Sequence, residues 1–198
     1  MKQANFPIKL IFNITTLAND FTAQDASGTT IAYVKQKMFK LKEAITVYEN
    51  ETKSKINFTI KADKWLDFSA AYVISNNEGQ ETGKIVRKGW ASLWKAEYEL
   101  IDQNQKLQYH IREENGWVKV FDKLLGEIPI LSILTGYLFN PSYKVTNLND
   151  EIIVRLKKQP SFFGRKFEII KLKDIDSDDD ERIILGLMMM ILLERRRG

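Results

Sequence analysis

Apolar and polar residues alternate along most of the chain with a period of two. The stretch INFTIK (56–61) has an apolar residue at every second position, and LQYHIR (107–112) repeats this pattern. One apolar face and one polar face are typical of strands in an antiparallel sheet. The alternation therefore predicts short antiparallel strands between about residues 8 and 175.

The predicted strands come in pairs that share one layout. Each pair begins with an apolar alternation, crosses a turn rich in Asn, Asp, Gly and Glu, and returns through a second alternation to a charged end. A further strand is predicted for FEIIKL (167–172). About 12 strands in all favour a barrel or a sandwich over one open sheet. The five pairs are FTAQDASGTTIAYVKQK, ITVYENETKSKINFTIK, YVISNNEGQETGKIVRK, YELIDQNQKLQYHIREE and YKVTNLNDEIIVRLKKQ.

The carboxy-terminal segment breaks the strand pattern. Its eleven residues from Ile183 to Leu193 are apolar on every side, with acids before them and Arg195–Arg197 after them. As a helix they rise roughly 16 Å, about half of a 30 Å bilayer core, so they are too short to span a membrane. A helix that is apolar all round must be enclosed by protein.

These patterns together predict a mainly β protein, a closed antiparallel barrel of about 12 strands enclosing a hydrophobic helix at about 180–195. We expect one domain over residues 1–198 and no transmembrane span. The run from Asp178 to Glu181 is expected to cap the helix and to interact favourably with its positive end. The three consecutive methionines suit an irregular interior.

Composition removes several classes of chemistry. The chain has no cysteine and one histidine, which excludes disulfides, thiol catalysis and thiolate zinc sites. The amino terminus lacks the apolar core of a secretory signal, so a cytoplasmic location is expected. No catalytic constellation stands out, and we expect a protein that is not an enzyme. The net charge of +4 is a mild basic excess, and no recognised nucleic-acid motif accompanies it, so nucleic acid is not an expected partner.

Basic residues are concentrated between Arg155 and Lys173, where seven cations accompany one acid. Arg155 and Lys157 alternate with apolar residues, so both should point outward from one strand. This composition predicts binding of anionic lipid headgroups at the inner face of a membrane. An alternative is a solubilising exterior with two core phenylalanines. The candidate headgroup ligands are Arg155, Lys157, Lys158, Arg165 and Lys166, with Phe162 and Phe163 as membrane contacts.

The acidic run DIDSDDDE (174–181) resembles the start of a calcium loop. Asp174, Asp176 and Asp178 match positions one, three and five of an EF-hand. Asp179 stands where that loop needs glycine, and Leu185 stands where it needs glutamate. Calcium is thus the single candidate cofactor, and the alternative is a solvated turn with a helix cap.

The order of short strands followed by an apolar final helix resembles the tubby C-terminal-like fold. Within it, the chain is most similar to the LURP-one-related and phospholipid scramblase branch. The resemblance covers roughly residues 20–196. It depends on FTAQDASGTTIAYVKQKMFKLKEAITVYE, YVISNNEGQETGKIVRK, FNPSYKV, SFFGRKFEI and ERIILGLMMMILLERRRG.

The resemblance implies a non-enzymatic binding protein. Tubby-type members bind phosphoinositide headgroups, scramblase-type members are associated with membranes and calcium, and LURP-one members mostly lack an assigned biochemistry. The acidic stretch 174–181 occupies the place linked to calcium in scramblases. The chain lacks their cysteine cluster and proline-rich amino-terminal tail. A scramblase-like, calcium-linked membrane protein and a protein-interaction scaffold with a protein partner are therefore kept as alternatives.

Overall fold

The alternating segments form twelve strands, and the apolar run forms a helix, in a computed structural model that describes residues 4–13, 19–37, 44–63, 70–88, 97–114, 142–159 and 166–195. Within these residues the strands are β1 (Ile8–Phe12), β2 (Asp20–Gln24), β3 (Thr30–Lys37), β4 (Ala44–Tyr48), β5 (Ile56–Ala62), β6 (Ala71–Asn76), β7 (Glu81–Arg87), β8 (Glu97–Asp102), β9 (Leu107–Glu114), β10 (Ser142–Thr146), β11 (Ile152–Gln159) and β12 (Lys166–Lys171). The helix α1 is Ser177–Arg195.

The strands close into a barrel. Each strand pairs antiparallel with its neighbours in sequence, and β1 pairs with β12 to complete the ring. The five predicted hairpins are confirmed as β2–β3, β4–β5, β6–β7, β8–β9 and β10–β11. The closed antiparallel barrel is thereby confirmed as well.

All five hairpins turn by the same device. An Asn or Asp begins each turn, and its side-chain oxygen accepts the backbone N–H two residues later, and in four turns also the N–H four residues later. The residue at the fourth position of the turn adopts a positive φ. Asn and Asp suit the first position because their short side chains imitate a backbone turn. The first residues are Asp25, Asn50, Asn76, Asp102 and Asn147, and the positive-φ residues are Gly28, Lys53, Gly79, Gln105 and Asp150.

The helix α1 runs through the barrel. Every residue from Ile183 to Leu193 is buried, together with the inward side chains of the strands. The predicted enclosure of this apolar segment is therefore confirmed. The helix begins slightly earlier than predicted, because the Oδ1 of Asp176 accepts the N–H of Asp179 at 2.8 Å and acts as the cap. Asp178, Asp179 and Asp180 occupy the first turn instead.

The barrel has two different ends. At one end, which we call the turn end, lie the five tight turns and the segment 172–176 that leads into α1. At the opposite end lie the last residues of β1, β3, β5, β7, β9 and β11 and the first residues of the strands that follow them. The helix therefore enters at the turn end and points toward the opposite end.

Gly186 lies where α1 packs tightly against side chains of β8 and β9. A Cβ at this position would lie 2.7 Å from Leu100 Cδ2 and 3.5 Å from Ile111 Cδ1.

We expect Gly186→Leu to overpack this contact and to lower the free energy of unfolding by about 1–3 kcal/mol, measured by urea denaturation. The volume-conserving Leu187→Met, at a fully buried neighbour, should cost less than about 1.5 kcal/mol. Equal urea midpoints for Gly186→Leu and the wild type would contradict the tight contact of Gly186 with Leu100 and Ile111.

Candidate functional site

Three exposed lysines lie on the outer face of the barrel, where the first strand pairs with the last strand. Lys157 of β11 lies opposite Glu168 of β12, and Lys9 of β1 lies opposite Glu168 on its other side. Lys166 is two residues before Glu168, so its side chain is on the same face of β12. All three lysines are exposed. We call Lys9, Lys157 and Lys166 the lysine face.

The strand pattern forces these side chains outward. Their neighbours Leu10, Leu156 and Phe167 are buried and point to the core. Because successive side chains of a strand point to opposite sides, the lysines must face away from the core. Sequence reasoning missed Lys9, although its polar position within the alternation IKLIF (8–12) is a signal. Its place beside Glu168 depends on the closure of β1 on β12.

The predicted headgroup ligands that lie within the described residues do not all share one side of the sheet. Lys157 and Lys166 belong to the lysine face, and Arg155 lies on the same side of β11, as its alternation predicted. The Nε of Arg155 donates to Glu114 Oε1 at 3.0 Å. Lys158 lies opposite the buried Phe167 and is partly buried, so it is on the other side of the strand. Arg165, Phe162 and Phe163 lie outside the described residues.

Two further cations of the region 155–173 are neutralised at the turn end. Lys171 Nζ lies 2.7 Å from Asp180 Oδ2, and Lys173 Nζ lies 2.8 Å from Glu151 Oε1. No salt bridge joins a member of the lysine face to another described residue. The basic excess seen in the sequence is therefore available mainly toward the end opposite the turn end.

A family model described as LURP-one-related matches residues 30–191. The chain belongs to this family. The LURP-one-related membership that the resemblance implied is thereby confirmed. Among solved structures, an X-ray structure of a protein from Arabidopsis thaliana is similar, with 13% identity, coverage of 98% of this chain and 93% of that chain, and a TM-score of 0.45. No curated protein matches the sequence.

The acidic run of the LURP-one-related domain is not assembled as a metal site. Asp176 caps the helix, and Asp174 Oδ1 lies 3.7 Å from Lys171 Nζ. Asp174, Asp176 and Asp178 are all exposed. In the described part of the chain, no three acidic or histidine side chains are grouped as a metal ion would need. Calcium binding by these three residues stays a prediction.

A polar cluster fixes the start of α1 inside the LURP-one-related barrel. The hydroxyl of Tyr109 donates to Asp179 Oδ2 at 2.6 Å, and Arg182 also contacts Asp179. The Nε of Arg182 reaches the carbonyl of Thr82 at 3.4 Å. Burial raises the pKa of Tyr109 well above its usual value, and the hydrogen bond to Asp179 raises it further. We call Tyr109, Asp179 and Arg182 the helix-start cluster.

A second polar pair lies on the outer face of β2 and β3 and is covered by the β4–β5 turn. The hydroxyl of Tyr33 donates to Asp20, and both residues are buried, with exposures of 5% and 2%. Burial and Asp20 raise the pKa of Tyr33 to about 12. Lys53 Nζ lies 5.1 Å from the centre of the Tyr33 ring, and Glu51 accepts a hydrogen bond from Thr22 at 3.2 Å. Side chains of the β4–β5 turn therefore cover this part of the outer face.

Carboxylates outnumber lysines in the segments at the turn end of the LURP-one-related barrel. The segments at the turn end contain eight carboxylates and four lysines. Lys166 begins β12, and Lys157 is two residues from the end of β11, both toward the opposite end. No described helix is long and apolar enough to cross a bilayer. The carboxylates are Asp25, Glu49, Glu51, Glu78, Asp150, Glu151, Asp174 and Asp176.

Proposed function

We propose that this LURP-one-related protein binds anionic phospholipid headgroups at the cytoplasmic surface of a membrane, and that it acts by binding and not by catalysis. One observation supports this most directly, which is the lysine face on three adjoining strands. Each cation near an anionic membrane surface contributes about 1 kcal/mol. The attraction falls off within a Debye length of roughly 8–10 Å, so all three lysines must lie within that distance of the membrane surface at the same time.

The surroundings of the lysine face support the same proposal. Lys144 of β10 lies opposite Arg155, which adds positive charge beside Lys157 on the outer face. Arg165 immediately precedes Lys166 in the sequence, and Phe162 and Phe163 precede Arg165. In this proposal the two phenylalanines enter the interface while the cations meet phosphates. The acidic turn end is repelled by anionic lipid, which directs the lysine face and the opposite end toward the membrane.

Vesicle flotation tests the proposal with a charge-reversed double variant. Lys157→Glu with Lys166→Glu removes two attractive charges, so binding to vesicles containing phosphatidylserine should fall by at least about thirtyfold, since each lost lysine is worth about 1 kcal/mol. Neutral phosphatidylcholine vesicles should recover little of either protein. Binding of the wild type should weaken as salt rises.

A matched control separates the site from net charge. Lys55→Glu with Lys106→Glu changes the net charge by the same amount, at two exposed lysines of the turn end. This control should bind anionic vesicles nearly as well as the wild type. Equal losses in both double variants, or equal recovery with neutral and anionic vesicles, would refute the lysine face as the binding surface.

The same assay distinguishes the scramblase-like alternative. Calcium in the millimolar range should leave flotation of the wild type unchanged if the lysine face alone binds the membrane. Flotation that occurs only with calcium, and that is lost in Asp174→Asn and Asp178→Asn, would favour the calcium-linked alternative instead. A protein-interaction scaffold would show neither lipid nor calcium dependence.

A further inference from the structure

We infer that the lysine face responds to the charge density of a membrane and does not select the stereochemistry of one headgroup. This inference rests on the proposed function and concerns the ligand class of the same surface. Selective phosphate sites need several donors that converge on one point and are held in place by their neighbours. The described residues show a different arrangement, in which the positive groups are spread over an outward-curving surface.

The spacing of the lysines opposes a shared phosphate. Lys9 and Lys157 lie on strands that are separated by β12, so their backbones are roughly 10 Å apart, two strand spacings. Both side chains are exposed. A lysine ammonium is a compact charge on a flexible stem, so exposed lysines meet phosphates without fixing their orientation. Each lysine is therefore expected to meet a different lipid.

A carboxylate occupies the centre of the lysine face. Glu168 lies directly opposite both Lys9 and Lys157, and its Oε2 accepts a hydrogen bond from Gln159 Nε2 at 2.8 Å. A single phosphate at the point where the three lysines could converge would lie against this negative group. Phosphates are therefore expected around the edge of the lysine face, which is the arrangement of several lipids in a plane.

Among the described residues of β11, Arg155 places a guanidinium beside the lysine face, and this group is already engaged. Arginine gives selectivity for phosphate because its planar fork donates two parallel hydrogen bonds. Arg155 donates its Nε to Glu114 at 3.0 Å, so part of the fork is occupied by a carboxylate of β9. Among the described residues around the lysine face, lysines are therefore the groups that bind phosphate. They respond to its charge and do not select its geometry.

Binding at matched surface charge tests the inference. Vesicles containing phosphatidylserine and vesicles containing phosphatidylinositol 4,5-bisphosphate are prepared with the same zeta potential, and partition of the full chain is measured on both. We expect the two partition coefficients to agree within about twofold, as a charge-density response requires. Soluble inositol trisphosphate should displace the protein no better than salt of equal ionic strength.

Removal of the central carboxylate provides a second measurement. Glu168→Gln keeps the shape and an oxygen that can accept from Gln159, and removes one negative charge. Binding should rise by roughly fivefold on both kinds of vesicle, the factor for one charge near a membrane surface. Denaturation midpoints equal to the wild type show that the variant is folded, and Glu151→Gln at the turn end is the matched control, expected to leave binding unchanged.

Several outcomes would overturn the inference while leaving the proposed function intact. One is a preference above about tenfold for the phosphoinositide at equal zeta potential. Others are displacement by stoichiometric inositol trisphosphate and a gain in Glu168→Gln that is confined to one lipid. Failure of the wild type to bind either anionic vesicle would instead overturn the proposed function.

Discussion

Met189→Asp is expected to unfold the protein. Met189 is fully buried at the centre of α1, with Met188 and Met190 beside it, and the strand side chains surround this helix. An unpaired carboxylate in such a place costs several kcal/mol even after relaxation. That cost is comparable to the whole stability of a folded domain, about 5–15 kcal/mol. Circular dichroism and urea denaturation at neutral pH should show loss of the folded barrel.

Two comparisons make this result specific. Met189→Leu conserves apolar volume and should lower the free energy of unfolding by less than about 1.5 kcal/mol. Because burial raises the pKa of a carboxyl group, the introduced aspartate becomes neutral more easily in the folded state as the pH falls. The damage in Met189→Asp should therefore be smaller near about pH 5 than near about pH 8. Unchanged stability of Met189→Asp at neutral pH would show that barrel side chains do not enclose the helix.

Asp179→Ala is expected to produce the second large loss, about 2–4 kcal/mol of unfolding free energy. The side chains of Asp179 and Arg182 are 18% and 10% exposed, so most of each charge is removed from water. Without the carboxylate, the guanidinium of Arg182 loses its ion pair and the hydroxyl of Tyr109 loses its acceptor. Removal of one partner of a buried pair is costly because the other charge stays buried.

The adjacent acid offers a matched control for Asp179→Ala. Asp178 lies in the same first turn of α1 and is exposed, so Asp178→Ala should lose only the helix-dipole interaction, about 0.3–1 kcal/mol. Combining Asp179→Ala with Arg182→Met should cost less than the sum of the single losses, because the double variant buries no unpaired charge. Similar urea midpoints for Asp178→Ala and Asp179→Ala would contradict a stabilising helix-start cluster.

The hairpins could be predicted because their causes are local. Alternation with period two defines each strand, and an Asn or Asp at the first turn position gives the chain its reversal. The enclosed helix could also be predicted, because a fully apolar segment shorter than a bilayer must be covered by protein. Both predictions depend on residues that are close in sequence.

The candidate site could be predicted only in part, because it depends on strands that are distant in sequence. The outward direction of Arg155 and Lys157 followed from alternation, but the salt bridge of Arg155 to Glu114 depends on the register of β9, β10 and β11. Lys9 joins the lysine face only through the pairing of β1 with β12. No local pattern states these registers. The single-domain boundaries and the roles of Arg165, Phe162 and Phe163 stay predictions.

The place of α1 in the middle of the barrel has a consequence for biosynthesis. The hairpins are local and can form as they leave the ribosome, whereas the pairing of β1 with β12 must wait for most of the chain. The residues that fill the interior, 183–193, are translated after every strand. Until residues 183–193 emerge from the ribosome, the apolar inner faces of the nascent strands are uncovered, which favours aggregation and chaperone binding.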